Sequence, residues 1–256
     1  MIRPIYPRAG EGISDLAEFL FQDVRVGDGR PWVMANMISS VDGATAVDGG
    51  ATGLTDDDDQ ALFGAFRAVA DVILVGASTV RAEDYGPVAL SDQGLSARRR
   101  HGREQLPRLA VVSRSLDIDP EGRFFSDPGQ VPLLVTCERS PRDRREALAR
   151  QAEVVVVGDD EVDFPRALAM LGDGGHRVVL CEGGPTIIGQ LVDVDLIDEI
   201  SLSTSPMVVA GQSKRIVQAS LPLPEPLAYE VDRILVGDAT LFVRWLRNRI
   251  RVTAAQ

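Results

Sequence analysis

From Pro31 onward, short apolar runs alternate with amphipathic segments. The run PWVMANMIS (31–39) predicts a strand. In DDDDQALFGAFRAVA, preceded by Thr55, the spacing predicts a helix. Thr55 reads as the N-cap with Asp58 three residues on, and Leu62, Phe66 and Val69 share one face. The continuous run DVILVGAST, broken at Gly76, predicts a strand buried on both faces and leading into a turn of small residues. A turn is expected at Glu83–Pro87. The polar stretch Ser91–Gln105, with Arg98-Arg99-Arg100, reads as a solvated surface excursion. Further strands are predicted at 109–113, 131–136, 153–157, 177–181 and 199–205, with helices at 141–151, 163–171 and 185–193.

Strands alternating with helices imply an α/β fold: a single domain with a mixed, mainly parallel sheet flanked by helices. Near the end, Gly237-Asp238 separates the β-rich runs RILVG and ATLFVRWL, which predicts an antiparallel hairpin at the C-terminal end. No internal repeat or long linker divides the chain. The expected organisation is an N-terminal extension (1–30), the main domain (31–250) and a tail (251–256).

Composition narrows the chemistry. Lys+Arg 27 against Asp+Glu 38 gives a net charge of −11, and no dense basic stretch tracks a phosphate backbone, so nucleic acid is not an expected partner. Lys214 is the only lysine; every other side-chain cation of the basic count is arginine. Two histidines and two cysteines show no zinc-ligand spacing, and no metal is expected. The aspartates 56–59 fit the first turn of a helix, where anions interact favourably with the dipole. Cys137 and Cys181 each end an apolar run and are expected as buried free thiols, consistent with a reducing cytoplasm. Pro4, Pro7 and Gly10 interrupt the start, and no 18-residue apolar run occurs, so neither export nor membrane insertion is expected.

Hydrolase elbows, Walker loops and the dinucleotide glycine fingerprint are absent. The strongest local constellation is Cys181-Glu182-Gly183-Gly184-Pro185-Thr186, which follows a buried strand and opens a helix with Pro185 at its first position. Glycines there allow close approach to the backbone, and a helix start offers N–H donors to an anion. A tight strand-to-helix turn accounts for the motif equally well. Asn36 with Ser39-Ser40-Val41-Asp42-Gly43, and Val75 through Asp84, are two further strand ends carrying polar residues.

In this order the three segments resemble the riboflavin-biosynthesis pyrimidine reductase family, the RibD-type reductase domain, over Pro31 to Trp245. The LVDVDLIDEISLSTSPMVVAG stretch after the glycine motif belongs to the same pattern. The resemblance implies a dihydrofolate-reductase-like fold and a homodimer. It also implies NADPH-dependent reduction of the ribosylamino group of 5-amino-6-(5-phosphoribosylamino)uracil to a ribitylamino group. Glu182 falls on the family's substrate-binding glutamate and, with Asn36, is the expected catalytic pair. Thr52, Arg67 and Asp42 are carried over as substrate-binding. Expected cofactor contacts are Ile38, Leu54, Thr79, Val80, Glu83, Ser113, Arg114 and the loop Gly183, Gly184, Pro185, Thr186 and Ile187. Arg114 is the expected partner of a 2′-phosphate, which a guanidinium can bind bidentately.

Two departures stand out. Relatives carry a Leu-Thr-x-Arg segment whose arginine helps hold the substrate phosphate; here the segment is Gly86-Pro87-Val88-Ala89-Leu90, leaving Arg81, Arg98 or Arg100 to compensate. After Asp42-Gly43 the usual basic residue is Ala44. These changes keep three alternatives open: a dihydrofolate or pterin reductase, a flavin- or deazaflavin-linked reductase, and a non-catalytic nucleotide-binding module. The zinc-deaminase motifs often fused to this reductase are absent from the sequence.

Overall fold

Runs with no polar break become the middle of a sheet, because a strand covered on both faces must be apolar at every position. In the computed structural model, which describes residues 1–27, 29–219 and 221–249, the elements follow one another as below. β1 (Arg3–Tyr6), α1 (Leu16–Phe21), β2 (Trp32–Ser40), α2 (Asp57–Val69), β3 (Val72–Gly76), α3 (Ala77–Ala82) and α4 (Asp92–Arg100) form the first part. β4 (Arg108–Val112), β5 (Leu133–Thr136), α5 (Arg142–Leu148), β6 (Glu153–Val156), α6 (Phe164–Asp173) and β7 (Val178–Cys181) follow. α7 (Pro185–Asp193), β8 (Glu199–Ser205), β9 (Tyr229–Val236) and β10 (Leu241–Arg247) complete it. The expected tail 251–256 lies outside the described residues.

All these strands share one sheet in the order β1-β9-β10-β8-β2-β7-β3-β4-β5-β6. From β8 to β6 neighbouring strands are parallel; β1, β9 and β10 add antiparallel pairs, including the hairpin expected at Gly237-Asp238. Alternation along the central strands feeds two cores. Ile73, Val75 and Leu180 pack under α1, α2 and α4, whereas Val72, Leu74, Val179 and Cys181 pack under α6 and α7. Both cysteines are free and buried, as expected. No helix among the described residues is long and apolar enough to cross a membrane.

Three local expectations are corrected. Asp56, not Thr55, caps α2, its carboxylate accepting from the Asp59 N–H at 2.7 Å; the Thr55 hydroxyl instead donates to the Thr52 carbonyl. The small-residue turn after Gly76 is the helix α3. The supposed surface excursion holds α4, capped by Ser91. Arg98 within it is buried because its guanidinium donates to the carbonyls of Ala68 and Ala70, both at 2.7 Å, and of Gln105. Those carbonyls belong to the end of α2 and a loop, and an arginine supplies the donors that the backbone there lacks.

Residues 1–30 contribute directly to the fold. β1 pairs antiparallel with β9, and Ile2, Ala17, Leu20 and Phe21 are buried in the core shared with α2 and α4.

Candidate active site

A cavity of about 920 Å³ opens at the C-terminal ends of β2, β3, β4 and β7, the edge where parallel sheets place their ligands. Asn36 and Ile38 from β2 form its floor, α2 supplies one wall, and the starts of α3 and α7 supply another. Residues 45–52 border it above and are tied down by Glu83, whose carboxylate accepts from the Ala51 N–H at 2.9 Å and the Thr52 hydroxyl at 3.4 Å.

At the centre lies a charged cluster. Glu182 accepts from Arg67 Nε at 2.7 Å, from Arg67 Nη2 at 2.8 Å and from the Tyr85 hydroxyl at 2.8 Å. Its side chain is 1% exposed and that of Arg67 19%. Arg67 also stacks on Phe63, 4.4 Å from the ring centre, so the guanidinium is fixed in plane and position. Burial disfavours the Arg67 charge, but the Glu182 carboxylate outweighs this and its pKa lies above the ordinary value. Burial first, and then the Glu182 charge, push the Tyr85 hydroxyl well above its usual range, so Tyr85 acts as a donor. An ionised carboxylate has about four acceptor positions. Three are taken, which leaves Glu182 one, on Oε1, for a ligand.

The wall beside this cluster is suited to an anion. α1, α2, α4 and α6 begin with Asp15, Asp56, Ser91 and Asp163, whose side chains accept first-turn N–H groups. α7 begins at Gly184 and α3 at Gly76, with no side-chain cap, and both glycines line the cavity. A Cβ at Gly184 would come within 2.8 Å of Thr79 Oγ1, and one at Gly76 within 2.9 Å of Ile187 Cγ1. The helix starts are packed so closely that only glycine fits; the Gly76 N–H is taken by the Gly183 carbonyl and the Ile187 N–H by the Gly184 carbonyl, and in α7 no side chain caps the Gly184 and Thr186 N–H groups.

Among the expected site residues, Asn36, Ile38, Thr52, Arg67, Thr79, Glu83, Ser113, Glu182, Gly184, Pro185, Thr186 and Ile187 line this one cavity. The structure does not bring the others to its lining. Asp42 lies in the exposed turn after β2, accepting from Ser40 Oγ at 2.5 Å and from the N–H groups of Ala210 and Val209; these bonds lower its pKa to about 2. Leu54 and Val80 are core residues. Arg114 is exposed and paired with Glu161 at 3.2 Å, because its side chain turns away from the cavity that Ser113 and Ser115 line. Gly183 adopts φ +97° behind the lining, and its carbonyl accepts from the Gly76 N–H. Of the arginines expected to compensate for the missing one, Arg98 is buried under α2 and Arg100 binds Asp15 and Glu18, so only Arg81 reaches the cavity.

Several lining residues escaped the sequence reading. Arg123, from a single 3-10 turn (Arg123–Phe125), packs over Gly86, whose Cβ would lie 2.7 Å from its guanidinium, and pairs with Asp84. Asp59, read as a helix-start anion, is buried in the cavity wall. Burial raises its pKa, partly offset by the Ser203 hydroxyl. The signal was present: Asp59, Phe63 and Arg67 recur at every fourth position, a second stripe beside the apolar one at Leu62, Phe66 and Val69.

Asn36, also on the floor, makes no side-chain hydrogen bond among the described residues and presents a free amide to the cavity. An open cavity with a pinned carboxylate, a free amide, a buried carboxyl group and an uncapped helix start defines a ligand-binding α/β enzyme site. Comparison with known proteins gives the family. The model of the RibD C-terminal domain matches residues 31–235, and the chain belongs to that family. It is 28% identical over 189 residues to a 2,5-diamino-6-ribosylamino-4(3H)-pyrimidinone 5′-phosphate reductase of Archaeoglobus fulgidus, covering 73% of this chain and 86% of that protein. Identity to the protein of the same name from Aquifex aeolicus is 29% over 190 residues, covering 72% and 80%. Among solved structures, a pyrimidine reductase-like protein of Corynebacterium diphtheriae superposes with a TM-score of 0.78 at 24% identity, covering 86% of this chain and 92% of that one.

Proposed function

We propose that the chain is an NADPH-dependent reductase that converts the phosphoribosylamino side chain of a pyrimidine to a phosphoribitylamino chain in riboflavin biosynthesis. One observation carries this reading: three segments far apart in sequence, each part of the family pattern, bring Asn36, Thr79 with Glu83, and Glu182 with Gly184–Ile187 to a single cavity. The relatives are named for a 2,5-diaminopyrimidinone, whereas the sequence pattern suggested the uracil counterpart; the two differ by an amino or oxo group at ring position 2. The cofactor's phosphates fit the uncapped start of α7, where Gly184 leaves no side chain between the backbone and a ligand. A small-molecule substrate and a cytoplasmic homodimer complete the proposal.

When bound, reduced nicotinamide supplies hydride chemistry. In the overall step the open-chain imine C=N becomes CH–NH: carbon C1′ gains hydride and the attached nitrogen gains a proton. Asn36 orients the reacting region through its free amide. Glu182, held by Arg67 and Tyr85, offers one Oε1 acceptor position to the pyrimidine. Asp59, buried in the cavity wall where ionisation is disfavoured, is the proposed proton source for the nitrogen. Pre-positioning of these groups lowers the entropic part of the barrier.

The test is NADPH oxidation by purified protein with the diaminopyrimidinone phosphate, its uracil counterpart and dihydrofolate in separate reactions. Turnover of a phosphoribosylamino pyrimidine is expected. Turnover of dihydrofolate alone assigns a pterin reductase instead, and NADPH binding without any turnover assigns a nucleotide-binding module. A rise in melting temperature with a flavin or deazaflavin but not with NADPH overturns the cofactor assignment.

A further inference from the structure

The one lysine of the sequence lies in the lining of the cavity. Lys214 is carried by the segment after β8, residues 206–219, which is pinned on two sides. On the β2 side, the N–H groups of Val209 and Ala210 donate to Asp42 at 3.2 and 2.8 Å. Next to the lysine itself, the Thr45 N–H donates to Ser213 Oγ at 3.2 Å and the Thr45 hydroxyl to the Lys214 carbonyl at 3.0 Å. On the far side, the Gln218 N–H donates to the Pro185 carbonyl at 3.0 Å, in the first turn of α7. A Cβ at Gly189 would come within 2.2 Å of the Gln218 carbonyl, so the segment lies directly on that helix. The backbone at Lys214 thus bridges the loop after β2 and the uncapped start of α7.

The other cations of the lining are already committed. Arg67 is paired with Glu182, Arg81 with Asp117 and Arg123 with Asp84. The Lys214 ammonium has no ion pair or hydrogen bond among the described residues. The protein carries −11 overall, so an anionic ligand is repelled at long range and must be compensated locally. An ammonium on a four-carbon stem is a movable point charge, which suits a phosphate that arrives with the ligand.

We propose that Lys214, carried by the pinned segment 206–219, is the cationic contact for a phosphate group of the ligand bound in this cavity. This rests on the reductase reading, in which both cofactor and substrate carry phosphate. The experiment separates those two sources and tests the reading independently. Lys214 and the N-terminus are the protein's amines, and the N-terminus, paired with Asp238 at 2.8 Å, serves as an internal reference. Amine acylation followed by peptide mass spectrometry is run without ligand, with saturating NADPH, with the phosphorylated pyrimidine and with its dephosphorylated form, binding of each being verified by calorimetry.

Protection of Lys214 with unchanged labelling of the N-terminus is expected. Protection by NADPH assigns the cofactor's phosphate; protection by the phosphorylated pyrimidine and not by its dephosphorylated form assigns the substrate's. Lys214→Ala is expected to raise the Kd or KM of the protecting ligand about tenfold, the size of one charge-assisted hydrogen bond, with kcat retained and partial recovery in Lys214→Arg. Equal labelling with and without bound ligands, or unchanged constants in Lys214→Ala, overturns the proposal while the reductase reading stands. Absence of binding by every ligand overturns the reading, and the proposal with it.

Discussion

Replacing Arg67 by Met removes the guanidinium but retains an unbranched apolar stem, and so strands the Glu182 carboxylate at the bottom of the cavity. Glu182 is 1% exposed and reaches water only through its one free Oε1 position, whereas Arg67 is 19% exposed and rehydrates more readily. Breaking a buried pair from one side costs about 3–5 kcal/mol, chiefly the penalty of the charge left behind. The Tyr85 hydroxyl still donates to Glu182 at 2.8 Å and partly solvates it, which places the cost near the lower end, about 3 kcal/mol. In a domain of this size that is a fall in melting temperature of about 6–12 °C. Urea and thermal unfolding of Arg67→Met, Glu182→Gln and the double variant give the coupling. Arg67→Met is expected to be the more damaging single change, because the partner it leaves behind is the deeper one, and the double variant should recover at least half of the loss. A cost below about 1 kcal/mol for Arg67→Met, or strictly additive single changes, would refute a buried, mutually dependent pair.

Four further outcomes follow from the same geometry. Burial raises the Asp59 pKa in the folded state, so the ionised carboxylate destabilises the fold above the unfolded-state pKa; Asp59→Asn should unfold at higher temperature than wild type at neutral pH, with the difference vanishing as both states become protonated in acid. In the same variant kcat should fall about 10²–10⁴-fold if Asp59 is the proton source, with NADPH affinity retained; unchanged kcat removes that role. Gly184→Ala forces a Cβ to within 2.8 Å of Thr79 Oγ1, so cofactor affinity measured by calorimetry should drop while a Thr79→Ala companion change restores part of it. Burial pushes the Cys181 thiol up to about 12, and native protein at pH 8 should resist thiol reagents until denaturant is added; rapid labelling of the native state contradicts the packing.

The sequence by itself determined what depends on neighbours along the chain. The apolar runs VILVG and VVLC became doubly covered strands, the Gly-Gly-Pro segment opened a helix at Pro185, and the Gly237-Asp238 turn joined an antiparallel pair, since each requires only local pattern and turn chemistry. Most of the cavity lining was legible through the three spaced segments for the same reason: each sits at a strand end that local pattern identifies. Tertiary structure decided which polar groups remain available. Arg98 reads as a surface cation but is buried, because the carbonyls that need it come from another element. Arg114, attractive for a phosphate, is turned outward to Glu161, and Asp42 is spent on the 206–211 backbone. Asp59 and Arg67 lie two helical turns apart on one wall, yet one is left without an ion pair and the other is locked to Glu182. Charge and residue type are properties of the chain, whereas hydration and partnership depend on what folding brings within a few ångströms, and those are what set the chemistry of a side chain.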